Sequence, residues 1–265
     1  MEVTGQDIVT QIEAYAPLIL KMNHDPSGLQ LGDLRRPVHR VLTTLDVRPE
    51  VVQEAITNQV DFIFAHHPLI FHPAVNLDTT IPQNAMYAEL LKHDVTVYAA
   101  HTNMDKTCPG MNDWLAQALK LQQLESFARD NDGVGLGRVG LLATPMTCLE
   151  LAKYVKQVFH LGGLRLITPD INKVVQRIGI IGGDGGKFYL DALEDHIDVF
   201  ITGDVYYHTA HDMLSAGLSV IDPGHHIESI FKVQTAKLLK HWAHENQWAL
   251  TVQSSQLSTE PYQFI

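Results

Sequence analysis

Apolar residues recur along this chain in two alternating rhythms, the spacing of a helix face and the short continuous run of a buried strand. Ile8, Ile12, Tyr15 and Ile19 share one helical face, so the spacing predicts an amphipathic helix that ends before Asn23-His24-Asp25-Pro26. A strand is expected over 38–45, then a helix over 49–58 whose Pro49 takes the tolerated first turn. A short apolar strand over 60–64 runs into Ala65-His66-His67-Pro68. After a loop to about residue 82, Met86, Leu90 and Leu91 mark a helix. The run 95–100 reads as a strand leading into His101-Thr102-Asn103-Met104-Asp105, and one more helix is expected over 110–120.

Past residue 125 the pattern loosens into a polar, glycine-rich stretch at 130–137 and then resumes. Leu149, Ala152, Val155 and Phe159 mark a helix; strands are expected over 174–181, 199–202 and 218–221, with helices over 187–195 and 208–216. Asp222-Pro223-Gly224-His225-His226-Ile227-Glu228 opens a last long helix, and a strand over 247–253 closes the pattern. Such alternation predicts an α/β fold. The halves also look alike: Asp61-Phe62-Ile63-Phe64 resembles Asp198-Val199-Phe200-Ile201, and Val95-Thr96-Val97-Tyr98 resembles Leu218-Ser219-Val220-Ile221. The second pair is more closely spaced, which fits an extra loop at 70–84. The expected division is a first α/β half, 1–125, then a connecting segment and second half, 126–265.

Composition narrows the function. The 265 residues are 45% hydrophobic and 18% charged, as a folded globular chain should be. Thirty acidic against 19 basic side chains give a net charge of −11, which counts against nucleic-acid binding through phosphate neutralisation. No apolar run reaches the roughly 18 residues of a membrane span, and MEVTGQDIVT lacks the basic start and apolar stretch of a signal peptide. Two cysteines make no disulfide framework, so the expected compartment is the cytoplasm. The 15 histidines, nearly as many as Lys plus Arg, are the unusual feature.

Their placement suggests a metal site. His66 and His67 follow a strand end, where Pro68 lets neighbouring imidazoles diverge toward two ions. His225 and Glu228 share a helix face, and Asp105 follows a strand expected beside that of His66. Nitrogen and carboxylate ligands without cysteine suit zinc, iron, manganese or cobalt. A bridging Glu228 would give three ligands per ion and leave positions open for water, as a catalytic site requires. Taken singly, a His-His pair is more often a turn or surface feature; convergence of several strand-end loops is what favours a metal.

The blocks Thr44-Leu45-Asp46, Asp61-Phe62-Ile63-Phe64-Ala65-His66-His67-Pro68-Leu69-Ile70-Phe71 and Gly28-Leu29-Gln30-Leu31-Gly32 resemble the NIF-three-like dinuclear metal-centre family. So do His101-Thr102-Asn103-Met104-Asp105, Gly135-Leu136-Gly137-Arg138-Val139-Gly140, Thr202-Gly203-Asp204 with His208, and the 222–228 segment. Bacterial members are labelled GTP cyclohydrolase I type 2 homologues. The resemblance implies two pseudo-repeated α/β halves, a toroidal homohexamer and two divalent metal ions per subunit. It carries over His66, His67, Asp105, His225 and Glu228 as ligands, with His66 and Asp105 on one ion, His67 and His225 on the other, and Glu228 bridging. His101 and His208 lie near the ligands in that pattern, each as a general acid or base or as a group orienting a ligand. Only about residues 126–170 separate the halves, so no large inserted domain is expected. The chain departs from many relatives at His24-Asp25-Pro26-Ser27, where they read Trp-Asp-Asn.

Two glycine motifs are weaker. Gly135 to Gly140 matches G-x-G-x-x-G formally but reads as a turn. The loop Gly182-Gly183-Asp184-Gly185-Gly186-Lys187, between a strand and a helix start, is either a tight turn or a phosphate contact. His241 and His244 are expected in solvent; Met86, Met213 and Trp242 are expected in core or interface. The function expected is a metal-dependent hydrolase acting on a nucleotide or related small molecule; the alternative is a non-catalytic hexameric metal-binding or regulatory scaffold.

Overall fold

Thr4 starts the first helix. Its hydroxyl accepts the N–H of Asp7 (3.3 Å), while the Asp7 carboxylate accepts the N–H of Thr4 (2.9 Å), a reciprocal cap for α1 (Gly5–Tyr15). The helix ends earlier than the spacing predicts. Pro17 has no N–H to continue the ladder, so Leu18–Leu20 forms a single 3-10 turn and Ile19 is left exposed.

The computed structural model describes residues 1–130 and 133–265; residues 131 and 132, inside the expected glycine-rich stretch, lie outside the described residues. The chain packs as two units, Met1–Thr107 with Ser229–Thr259, and Cys108–Glu228 with Glu260–Ile265. A cut at 125/126 would group the segments differently. The difference comes from strand pairing, which joins the segment after residue 229 to the first sheet.

In the first unit, α1 is followed by β1 (Gly28–Leu31), β2 (Arg40–Thr44), α2 (Pro49–Thr57), β3 (Phe62–Ala65), α3 (Pro82–Lys92), β4 (Thr96–Ala99) and α4 (Thr102–Lys106). The second unit contains α5 (Met111–Ala118), β5 (Gln122–Arg129), β6 (Gly135–Thr147), α6 (Cys148–Val158), β7 (Arg165–Ile167) and β8 (Val174–Asp184). It continues with α7 (Tyr189–Glu194), β9 (Val199–Gly203), α8 (Tyr207–Ser215) and β10 (Ser219–Asp222). After a 3-10 turn over His225–Ser229, α9 (Ile230–Glu245) and β11 (Thr251–Ser254) complete the first unit.

The first sheet has the order β1-β4-β3-β2-β11, with β1 antiparallel and the rest parallel. The second has the order β5-β6-β8-β9-β10-β7, in which β8, β9 and β10 are parallel and the outer pairings antiparallel. Strands β3, β4, β9 and β10 are buried along their whole length, which is why they read as continuous apolar runs. In the first unit Leu42, Ile63 and Val97 from the strands meet Val51 and Leu90 from α2 and α3 in one core.

The two sheets repeat one plan: an antiparallel strand (β1, β7), then three parallel strands with helices between them. Asp61 accepts the backbone N–H groups of His39 and Arg40 (2.7 and 2.8 Å), and Asp198 accepts those of Gln176 and Arg177 (both 2.9 Å). Arg40 reaches the carbonyl of Asn58 (2.8 Å) as Arg177 reaches that of Asp195 (2.9 Å). Gln59 and His196, at φ 52° and 53°, turn the chain identically before these aspartates. The expected extra loop is the irregular segment 66–81 before α3, against only 204–206 before α8.

Several elements differ from expectation. β1 and β7 are too short to show a period. The polar stretch after residue 121 forms two long antiparallel strands, and Gly135 to Gly140 lies in β6 rather than in a turn. A Cβ on Gly137 would lie 2.2 Å from the Phe127 ring, so the glycine admits that ring. Arg138, between the glycines, is buried with Asp113 in a two-pronged ion pair (2.8 and 2.9 Å). The 222–228 segment does not open an α-helix: Pro223 and Gly224 (φ 83°) turn the chain, and α9 starts only at Ile230.

Candidate metal centre

In the first unit the chemistry-bearing side chains follow the carboxyl ends of parallel strands, where an α/β sheet leaves a crevice. Asp46 follows β2, His66 and His67 follow β3, and His101 and Asp105 follow β4. The His66 ring is fully buried, 5.1 Å from the Phe231 ring, 4.9 Å from that of His67 and 5.2 Å from that of His101. One ring nitrogen from each of the three histidines lies within 4.8 Å of the other two.

The hydrogen bonds fix which nitrogen each ring presents. Nδ1 of His66 donates to the carbonyl of Ala100 (2.9 Å), which can only accept, so the lone pair is on Nε2. That Nε2 lies 3.5 Å from Oδ1 of Asp105. Nδ1 of His67 is 2.6 Å from Oδ1 of Asp46 and donates to it. Burial pushes the Asp46 carboxyl up, but hydrogen bonds from His67 and Thr259 more than offset this and hold it below its ordinary value. It is therefore an anion that keeps His67 in the Nε2-presenting tautomer.

His101 has its own carboxylate. Its Nδ1 lies 3.4 Å from Oδ1 of Asp25, and that oxygen accepts from the N–H and hydroxyl of Ser27 (2.8 and 2.9 Å). The other Asp25 oxygen accepts the N–H (3.0 Å) and hydroxyl of Thr102 at the start of α4. Burial opposes ionisation of Asp25, yet the bonds from His101 and Thr102 outweigh it and hold the carboxyl well below the usual range. The segment that departs from the relatives' Trp-Asp-Asn pattern thus caps the helix that carries Asp105.

The second unit holds a smaller cluster. Nδ1 of His225 donates to Oδ2 of Asp204 (2.8 Å), and its Nε2 lies 3.1 Å from Oε2 of Glu228, a buried carboxylate. The glycine loop at the end of β8 makes room for this pair. A Cβ on Gly183 would approach Oε1 of Glu228 to 2.8 Å and Nε2 of His225 to 3.0 Å. Two of its N–H groups are engaged as well: Gly182 donates to Asn112 and Gly185 to Thr202 (both 2.8 Å). These contacts fit the tight-turn reading of this loop.

These donor sets suit a divalent cation. A ring nitrogen with its lone pair toward a carboxylate oxygen at 3.1–3.5 Å needs a positive charge there, either a second proton or a metal ion. A histidine that gives its other N–H to a carboxylate or carbonyl is the arrangement that orients metal ligands. His66, His67 and His225 share it. His208, in the first turn of α8, is exposed; its ring lies 5.8 and 5.4 Å from those of Tyr206 and Tyr207. Among the described residues it belongs to no group of three ligating side chains. Reading the residues one at a time missed the supporting aspartates. The signal they offered was an acid one or two residues beyond a strand end, at Asp46 and Asp204.

Comparison with known proteins shows which family the chain belongs to. The Streptococcus pneumoniae protein named GTP cyclohydrolase 1 type 2 homolog is 43% identical over 264 residues, covering 98% of this chain and 99% of its own. A Listeria innocua protein of that name is 32% identical, covering 98% of each, but the alignment runs over 368 positions, so it carries residues inserted relative to this chain. The crystal structure of a Bacillus cereus protein related to NIF3 superposes with a TM-score of 0.93 at 28% identity, covering 99% of each chain. A Staphylococcus aureus hypothetical protein gives 0.95 at 27%, covering all of both. The profile described as Duf34/NIF3 (NGG1p interacting factor 3) matches residues 3–261, and the chain belongs to that family.

Proposed function

We propose that this chain is a metal-dependent hydrolase of a nucleotide or related small molecule, with His66, His67, Asp105, His225 and Glu228 holding two divalent ions. The observation that carries the proposal is the shared support of the three imidazoles, each giving up Nδ1 and presenting Nε2. In this reading His66 and Asp105 serve one ion, His67 and His225 the other, and Glu228 bridges.

A pair of divalent ions supplies such a centre with Lewis acidity and an activated water at neutral pH. The chain's own part is to orient: Ala100, Asp46 and Asp204 hold the imidazoles, and Asp25 holds His101 where it can keep or pass a proton. In this reading His208, beside two exposed tyrosines, meets a substrate rather than an ion. The relatives' shared name points to a guanine nucleotide, and homohexameric assembly in the cytoplasm is part of the same reading.

Metal analysis of protein purified without added ions, followed by turnover on a nucleotide panel, tests it. Two ions per chain and hydrolysis of at least one nucleotide are expected, with Glu228→Gln losing both ions and all turnover. Retention of one ion by Glu228→Gln breaks the bridge; two bound ions with no turnover across the panel favour the scaffold.

A further inference from the structure

We infer that Thr259 is a positioning residue for the ion held through His67, acting through Asp46. The inference rests on the metal-centre reading above and adds to it the strap that follows β11. His66 and His67 are adjacent, yet their supports differ in kind. Nδ1 of His66 donates to a backbone carbonyl, Ala100, whose position the β3–β4 pairing sets: Ala100 N–H in turn donates to Ala65 (3.1 Å). Nδ1 of His67 donates to a side chain, Asp46, on the loop after β2. A carboxylate on a rotatable arm orients a ligand only if something holds its second oxygen.

Thr259 is what holds it. Its hydroxyl donates to Oδ2 of Asp46 (2.5 Å), while Oδ1 takes the His67 proton (2.6 Å). The two oxygens of one carboxylate thus link the strap to the imidazole. The strap is fastened along its length. Ser255 N–H donates to Thr43 of β2 (2.9 Å), and Ser255 Oγ donates to Glu54 of α2 (2.6 Å). The carbonyl of Leu257 accepts from Nζ of Lys232 on α9 (2.8 Å). Three separate elements of the first unit therefore deliver one hydroxyl to one carboxylate. An anchor needed only to tie down the chain would be complete at Leu257; the contact two residues further on is directed at the support of His67.

Removing that hydroxyl frees the Asp46 arm and weakens the ion at His67, while the ion at His66, supported by backbone, is unaffected. Metal-stripped full-length chain is titrated with zinc(II) against a fluorescent chelator, and separately with cobalt(II) while visible absorption is followed. The variants are Thr259→Val, which keeps the shape, and Thr259→Ser, which keeps the hydroxyl. Loss of a direct outer-sphere partner weakens metal binding about 10- to 100-fold. One step further out, Thr259→Val is expected to weaken one of the two ions about 3- to 10-fold and to shift the cobalt band, with Thr259→Ser close to wild type. Equal zinc affinity in Thr259→Val and wild type overturns the inference and leaves the metal centre standing. Equal losses in the Val and Ser variants also overturn it, since packing would then be the cause. No zinc bound by the wild type overturns both. Should Thr259→Val fail to fold, Thr259→Ala carries the same comparison with Thr259→Ser.

Discussion

Strands β2, β3 and β4 of the first unit and β8, β9 and β10 of the second follow one plan, but their ends are furnished differently. The turn contacts are kept residue for residue: Asp61 and Asp198 bridge the same backbone N–H groups, and Val95 and Leu218 close the following turn alike, on Leu90 (2.9 Å) and Met213 (3.0 Å). Beyond β3 stand His66 and His67; at the matching positions, the last residue of β9 and the one after it, stand Gly203 and Asp204. After β2 comes Asp46, and at the end of β8, within the strand, come Gly182 and Gly183, which leave room for His225 and Glu228. Asp105 and Glu228 follow β4 and β10 at equal distance along the chain. What is repeated is the device that joins helix to strand, whereas the loops that carry the candidate site residues have diverged, as expected when a scaffold and its site are separable.

That contrast can be broken most forcefully where the second unit has no match in the first. Asp113→Asn removes the partner of buried Arg138 and leaves a guanidinium in the protein interior; breaking such a pair costs about 3–5 kcal/mol. Denaturant unfolding should show that loss, and a change under about 1 kcal/mol would mean that the pair is replaceable. The shared device gives a matched test. Asp61→Asn and Asp198→Asn each lose charge-assisted bonds to two backbone N–H groups and should each cost about 2 kcal/mol. Strongly unequal costs in unfolding experiments would show that the repeated geometry no longer does equal work in the two sheets.

The smallest expected effect sharpens the unit that carries the cluster of His66, His67 and His101. Asp25 is depressed in the folded chain, so its contribution is complete above the ordinary carboxylate value of about 3.9 and is lost as pH falls through the folded value. Asp25→Asn should cost about 1–2 kcal/mol at pH 7, and its difference from wild type should shrink below about pH 4. Unfolding curves at pH 7 and in steps from pH 4 down to about pH 2.5 check it, because the folded carboxylate gives up its advantage only gradually over that range. A difference that stays constant through that descent would show that the charge is not what the variant loses.

Much of this was legible without coordinates. The parallel strands announced themselves as apolar runs because both faces are covered, and the helices as spaced apolar faces. The repeat showed in two short pairs of segments because the helix-to-strand turns were kept. The ligand candidates showed because histidine and acid follow strand ends in several loops. Where expectation failed, local pattern had little hold. Strands β5 and β6 carry glycines and polar residues whose role is to admit the Phe127 ring and the buried Arg138–Asp113 pair, neither visible in a linear window. Pro17 outweighed the period that included Ile19, and Gly224 outweighed the helix expected from 222.

The order of residues alone therefore determined the class of fold, the strand and helix alternation and the residue types available for metal chemistry, because these depend on neighbours a few positions apart. Tertiary structure decided which nitrogen each histidine presents, which aspartates hold it there, and which segments pack into each unit. Those follow from contacts between positions far apart in the chain, Ala100 with His66, Asp46 with His67 and Thr259 with Asp46. No periodicity encodes them, since each is set by where the sheet brings distant loops together.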